Sequence, residues 1–95
     1  MDYSSITELY LSNKGLTELP DLSHYTNLKT LDCSDNQITN LDNLPLSLIY
    51  LDCGCNKITH LDNFPLSLTR LVCGNNEITH LDNLPPTLTK LNSEI

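Results

Sequence analysis

The sequence predicts a solenoid of short parallel strands, and three observations carry that prediction. A leucine pattern returns every 20 residues: Leu28, Leu48, Leu68 and Leu88 keep step with Leu31, Leu51, Leu71 and Leu91. Two successive units, LIYLDCGCNKITHLDNFPLS and LTRLVCGNNEITHLDNLPPT, agree at 12 of 20 positions. Within each unit apolar and polar residues alternate over a few positions, which is the period of a half-buried strand. Repetition at this length means that each unit stacks on the next and shares one stripe of core.

The units run about 6–27, 28–47, 48–67 and 68–87, with a partial fifth at 88–95, and together they form one domain over residues 1–95. With Leu28 as position 1, Leu31 is position 4, Cys33 position 6, Asn36 position 9, Ile38 position 11, Leu41 position 14 and Leu44 position 17. Positions 4 and 6 face the core of a strand, and positions 3, 5 and 7 face out. The return from position 11 to position 20 is short and carries Pro45, Pro65 or Pro85. Proline there leaves no room for a regular helix, so an extended or polyproline-like back with isolated helical turns is expected. The first unit has 22 residues, and Asp21 is placed to cap one short helical turn.

The run L-x-x-L-x-L-x-x-N-x-L, with Cys at its third Leu in the regular units, resembles the leucine-rich repeat family. Seven apolar or Asn positions recurring in phase carry the resemblance over nearly the whole chain. It implies a leucine-rich-repeat solenoid: a right-handed coil with a parallel β-sheet on its concave face and a mostly irregular convex side. The short units with Pro after position 17 resemble the 20-residue class of bacterial effectors. The phrases LPLSLIYLDC and ITHLDN resemble repeat proteins of amoeba-infecting, mimivirus-like giant viruses.

Composition excludes some functions. A net charge of −7 with five scattered basic residues does not suit a phosphate-binding surface, so no nucleic-acid partner is expected. No stretch is apolar enough to span a membrane, and the start MDYSSITELY has no signal-peptide character. Cys33, Cys53, Cys55 and Cys73 are therefore expected as free thiols inside a cell, in host cytoplasm or virion if the protein is viral, rather than as secreted disulfides. A linear column of three cysteines does not supply a zinc tetrahedron, so no metal or cofactor is expected. Asn36, Asn56 and Asn76 stack as a structural ladder of buried amides. His60 and His80, with Asp62 and Asp82 two residues later, read as a repeated polar face of the back. A catalytic site needs an unrepeated nucleophile and a pocket, and neither is evident.

Function falls to the letters that break phase. On the concave face these are Glu8, Thr30, Tyr50, Arg70 and Lys90 at position 3, and Tyr10, Asp32, Asp52 and Val72 at position 5. Asp35 and Cys55 follow at position 8, with Cys55 an exposed thiol. Glu8, Asp32, Asp35 and Asp52 face Lys29, Arg70 and Lys90 there, a net of −1. The back holds Glu18, Asp21, Asp42, Asp62 and Asp82 without a base, a net of −5. A face with both charge signs and two tyrosines suits a protein or peptide partner. The expected function is thus a non-enzymatic protein-interaction module. The alternatives are the substrate-recognition arm of a larger enzyme, such as an effector-type ubiquitin ligase, and a self-assembling repeat unit. The last rests on Leu88 and Leu91, expected at an open end where uncapped units invite a homo-oligomer.

Overall fold

A computed structural model describes residues 3–61, 63–79 and 84–93. Five three-residue strands stand in chain order: β1 (Glu8–Tyr10), β2 (Thr30–Asp32), β3 (Tyr50–Asp52), β4 (Arg70–Val72) and β5 (Lys90–Asn92). They form one parallel sheet, each strand pairing with the next, so the chain is a solenoid of about four turns. Register follows the repeat. Leu9, Leu31, Leu51, Leu71 and Leu91 lie opposite one another, strand after strand.

The strands are short because the turn that follows them is set by the backbone. Asn13, Asp35, Cys55 and Asn75, all at position 8, have φ of 57°, 55°, 56° and 56°. That left-handed conformation tolerates Asn and Asp and disfavours other side chains. Position 16 repeats the device, with Asn43 and Asn63 both at φ 58°. Backbone bonds between units continue beyond the strands. Cys33 N–H donates to Asp52 O at 2.9 Å, Asp35 N–H to Gly54 O at 3.0 Å, and Cys55 N–H to Gly74 O at 2.9 Å. A second ladder runs behind the sheet, from Gln37 N–H to Leu16 O, Lys57 N–H to Ile38 O and Glu77 N–H to Ile58 O.

The core is the stacked set of phase-keeping letters. Leu28, Leu31, Cys33, Ile38, Leu48, Leu51, Cys53, Ile58 and Leu68 are wholly inaccessible, and Leu41, Leu44, Leu61 and Phe64 close the back. Each fully buried aliphatic side chain contributes roughly 1.5–3 kcal/mol by transfer from water. Cys33, Cys53 and Cys73 are buried free thiols. Burial pushes the Cys33 thiol up to about 12, and raises Cys53 and Cys73 in the same direction.

Among the described residues there is no helix. The return segments instead close with tight turns, Leu48 N–H to Pro45 O at 3.3 Å and Leu68 N–H to Pro65 O at 3.2 Å. The helical turn expected after Asp21 is a capped turn only. The Asp21 carboxylate accepts from Ser23 N–H at 2.9 Å and Tyr25 N–H reaches Leu22 O at 3.1 Å. The Ser23 hydrogen bond holds the Asp21 carboxyl below the usual carboxylate range. Tyr25 stacks on Tyr3 with centroids 4.7 Å apart, which covers the start of the first unit.

The asparagine ladder is present as expected. Asn56 Nδ2 donates to Cys33 O, Cys53 O and Gly54 O at 3.1, 3.1 and 3.2 Å, while its Oδ1 accepts from Ile38 N–H at 3.0 Å. Asn36 and Asn76 repeat the pattern. No buried side-chain nitrogen or oxygen among the described residues lacks a partner.

Candidate interaction face

The strand register assembles the phase-breaking letters into two rows. Glu8, Thr30, Tyr50, Arg70 and Lys90 form one; Tyr10, Asp32, Asp52, Val72 and Asn92 form the other. Strand neighbours lie about 4.8 Å apart, so each row spans roughly 19 Å. Glu8, Tyr10, Arg70 and Lys90 are exposed; Thr30, Asp32, Tyr50, Asp52 and Val72 are half-buried by their row neighbours. All nine therefore share the open face of the sheet.

Side chains within the face organise one another. The Arg70 guanidinium carbon lies 5.0 Å from the centroid of the Tyr50 ring, within cation–π range. Burial raises the Tyr50 phenol, and the nearby Arg70 partly opposes that rise. Tyr10 OH donates to Glu8 Oε1 at 2.9 Å, which raises the Tyr10 phenol. Burial pushes the Asp52 carboxyl up, against the Gly54 N–H bond that favours its charged form; Asp32 and Asp35 push it the same way as burial.

Two members also hold the coil. Asp32 Oδ1 accepts from Ser34 N–H at 3.0 Å and Ser34 Oγ at 2.6 Å, and Asp52 Oδ1 accepts from Gly54 N–H at 3.0 Å. These bonds steady the bend that leads into position 8. Asp35 and Cys55 sit in that bend rather than in a strand, exposed, with the positive φ described above. Their residue types therefore answer first to the backbone. Asp suits that conformation, and Cys55 is the one member of the described set that does not belong to the Asn/Asp pair tolerated there. The repetition of Asn and Asp at position 8 was the available signal, and variation at the position masked it.

A third ladder lay in the sequence without being read. Ser47 Oγ donates to Leu28 O at 2.6 Å, Ser67 Oγ to Leu48 O at 2.6 Å and Thr87 Oγ1 to Leu68 O at 2.7 Å. A hydroxyl at position 20 of every regular unit was its signal.

Elsewhere the candidates are less assembled. Leu88 is half-buried against the core, and Leu91 is 42% exposed on the last strand. His60 is exposed, with its Nδ1 2.9 Å from Thr59 Oγ1. Its expected partner Asp62, and the pair His80 and Asp82, lie outside the described residues. A cavity of about 750 Å³ opens in the return segments where the 22-residue unit meets the first 20-residue one, lined by Leu22, Tyr25, Leu44, Pro45 and Leu46 among others.

Comparisons with known proteins agree with this architecture. The family model described as Leucine Rich repeats (2 copies) matches residues 4–46 and 26–66. The leucine-rich repeat domain of a Shigella effector is 29% identical, with a TM-score of 0.63 over 93% of this chain and 49% of that one. YopM from Yersinia enterocolitica WA-314 is 32% identical, with a TM-score of 0.64 over 96% of this chain and 24% of that one. The chain thus spans about half of the first solved structure and a quarter of the second. No curated protein matches the chain in sequence. Leucine-rich repeat domains in general serve as protein-interaction scaffolds. With stacked leucines, an asparagine ladder and a parallel strand in every unit, and a family model covering more than half its length, the chain belongs to the leucine-rich repeat family.

Proposed function

We propose that the chain is a non-enzymatic module that binds a protein or peptide on the open face of its sheet. One observation carries the reading: five in-register strands present two rows of side chains that change from unit to unit, while the leucine between them on each strand does not change. A rigid sheet loses little entropy on binding. Tyr50 with Arg70 is the anchor of the face, since interface energy concentrates in such residues. The unpaired thiols, three of them buried, suit a reducing compartment, so the proposed setting is inside a cell. The resemblance to giant-virus repeat proteins would make that cell a host, and the binding partner a host or virion protein.

The test is site-specific photo-crosslinking from the sheet face, with capture of the adduct. The reading expects a defined adduct that disappears with Tyr50→Ala and Arg70→Ala and survives substitution of Asp42 on the back. An adduct indifferent to both face substitutions removes it.

A further inference from the structure

The back of the solenoid steps where the first unit meets the second. Leu22 and Leu44 hold the same repeat position, but the path from Leu22 to Leu28 is two residues longer than the path from Leu44 to Leu48. The longer path closes with two successive tight turns, Tyr25 N–H to Leu22 O at 3.1 Å and Leu28 N–H to Tyr25 O at 3.4 Å, where the second unit closes with the Pro45 turn. Unequal returns do not stack flush, and the cavity of about 750 Å³ opens between them. A second cavity of about 340 Å³ shares Leu22, Asp42 and Asn43 with it, so the two run together as a groove across the back.

The groove has an apolar end and an acidic end. Leu22 and Leu44 are buried at the apolar floor, beside the half-buried Tyr25 and Pro45. Leu46 lines the same end and is 84% exposed. An isolated surface leucine is ordinary, but one beside a concave apolar floor gives a ligand continuous surface to cover. Glu18, Asp21 and Asp42 line the other end, all three exposed. Among the described residues no lysine or arginine lines either cavity. Hydrogen bonding from Ser23 favours the charged Asp21 carboxylate, and the neighbouring His24 acts in the same direction.

Size and charge together select the occupant. A volume of about 750 Å³ falls within the roughly 300–1,000 Å³ of clefts that bury a ligand. A floor that runs from leucines to carboxylates suits a chain bearing an apolar side chain and a nearby lysine or arginine. Such a basic side chain lays its stem on apolar surface while its charge reaches the acids. A second copy of this chain is a poor match, because it carries a net charge of −7 with few basic residues.

We propose that this groove docks a basic segment of a partner protein, with an aliphatic or aromatic side chain over Leu22, Leu44 and Leu46 and lysine or arginine at the acidic end. The groove lies on the back, apart from the strand rows, so the proposal stands or falls independently of the sheet-face reading.

A random 12-residue peptide library displayed on phage and panned on the full chain tests it. The expected consensus joins an apolar residue to lysine or arginine. Leu46→Ser removes the exposed anchor without opening the core, and is expected to weaken a consensus peptide about tenfold. Glu18→Gln with Asp21→Asn keeps an oxygen acceptor for Ser23 N–H while removing charge. That variant is expected to weaken the peptide about fivefold at low salt and to flatten the dependence of its affinity on salt. Circular dichroism and urea midpoints check that both variants fold. Groove-dependent peptides that are acidic or uncharged overturn the proposal, and so does a library with no enriched peptide. Basic peptides that the charge variant weakens but Leu46→Ser leaves unchanged also overturn it, since they report the acidity of the back without the groove. If every enriched peptide is indifferent to both variants and lost with Arg70→Ala, the proposal falls and the sheet-face reading stands. A dimer seen by light scattering and dissolved by Leu46→Ser overturns it as well, because the occupant is then a second copy of the chain.

Discussion

Asn56→Ala removes the middle rung of the asparagine ladder, and its cost follows from the bonds it makes. The amide nitrogen donates to three carbonyls, but each carbonyl has a second donor. Cys33 O keeps Asn36, Cys53 O keeps Asn76 and Gly54 O keeps Asp35 N–H. The oxygen is less replaceable, because Ile38 N–H donates to Asn56 Oδ1 behind a wholly buried Ile38 side chain. An orphaned buried amide costs about 1–3 kcal/mol, and three weakened carbonyl bonds add a few tenths each. The expected loss is about 3 kcal/mol, a large fraction of the roughly 5–15 kcal/mol typical of a domain. Urea unfolding followed by circular dichroism measures it. Asn56→Ala with Asn76→Ala deprives Cys53 O of both amides, so the double variant is expected to cost about 1 kcal/mol or more beyond the sum of the singles. A single-variant loss under about 1 kcal/mol, or strict additivity, refutes the ladder as the element that clips unit to unit.

Further expectations concern the other repeated devices. Cys55→Asn relieves a left-handed cysteine at φ 56° and is expected to raise stability by about 0.5–1 kcal/mol; a lower urea midpoint contradicts this. Ser67→Ala deletes the hydroxyl that donates to Leu46 O and Leu48 O, and the expected loss is about 1 kcal/mol in the same assay. In the folded state a thiol reagent is expected to label Cys55 alone, with the three buried cysteines reacting only on unfolding, as mass spectrometry would read. Burial holds the Cys33 and Cys53 thiols well above the ordinary thiol value of 9.0, with Cys33 at about 12. The folded state then binds more protons than the unfolded one between those values, so stability falls as pH rises. Below about pH 9 the midpoint is expected to be flat on this account, and above it each such thiol lowers stability by about 1.4 kcal/mol per pH unit. A midpoint that holds up to pH 10.5 would be inconsistent with deprotonation opposing the fold.

The period made the fold legible because stacking forces equivalent residues to meet equivalent surroundings. Leu31, Leu51 and Leu71 had to be core, and they are; Asn56 had to satisfy a buried bend, and it does. The candidate face was legible in membership, since Tyr50, Arg70 and Asp52 stand out of phase. Its grammar was less so. Asp35 and Cys55 looked like free contact letters, yet a positive φ constrains them, and backbone dihedrals leave only a statistical trace in residue type. Asp32 and Asp52 looked purely external, yet each carboxylate also holds the bend after its own strand. The ladder of Ser47, Ser67 and Thr87 was not legible in the leucine pattern, because a hydroxyl gives no periodic apolar signal.

By itself, then, the 20-residue repeat determined the coil, its strands, its buried stripe and its polar ladder, because each of these depends on residues one unit apart meeting in register. The tertiary structure alone decided what the non-repeating residues do to one another. It set Arg70 over Tyr50 and drew Tyr10 to Glu8. Those relations depend on distances of a few ångströms within a strand and across neighbouring ones, between side chains with no pattern in the chain to announce them.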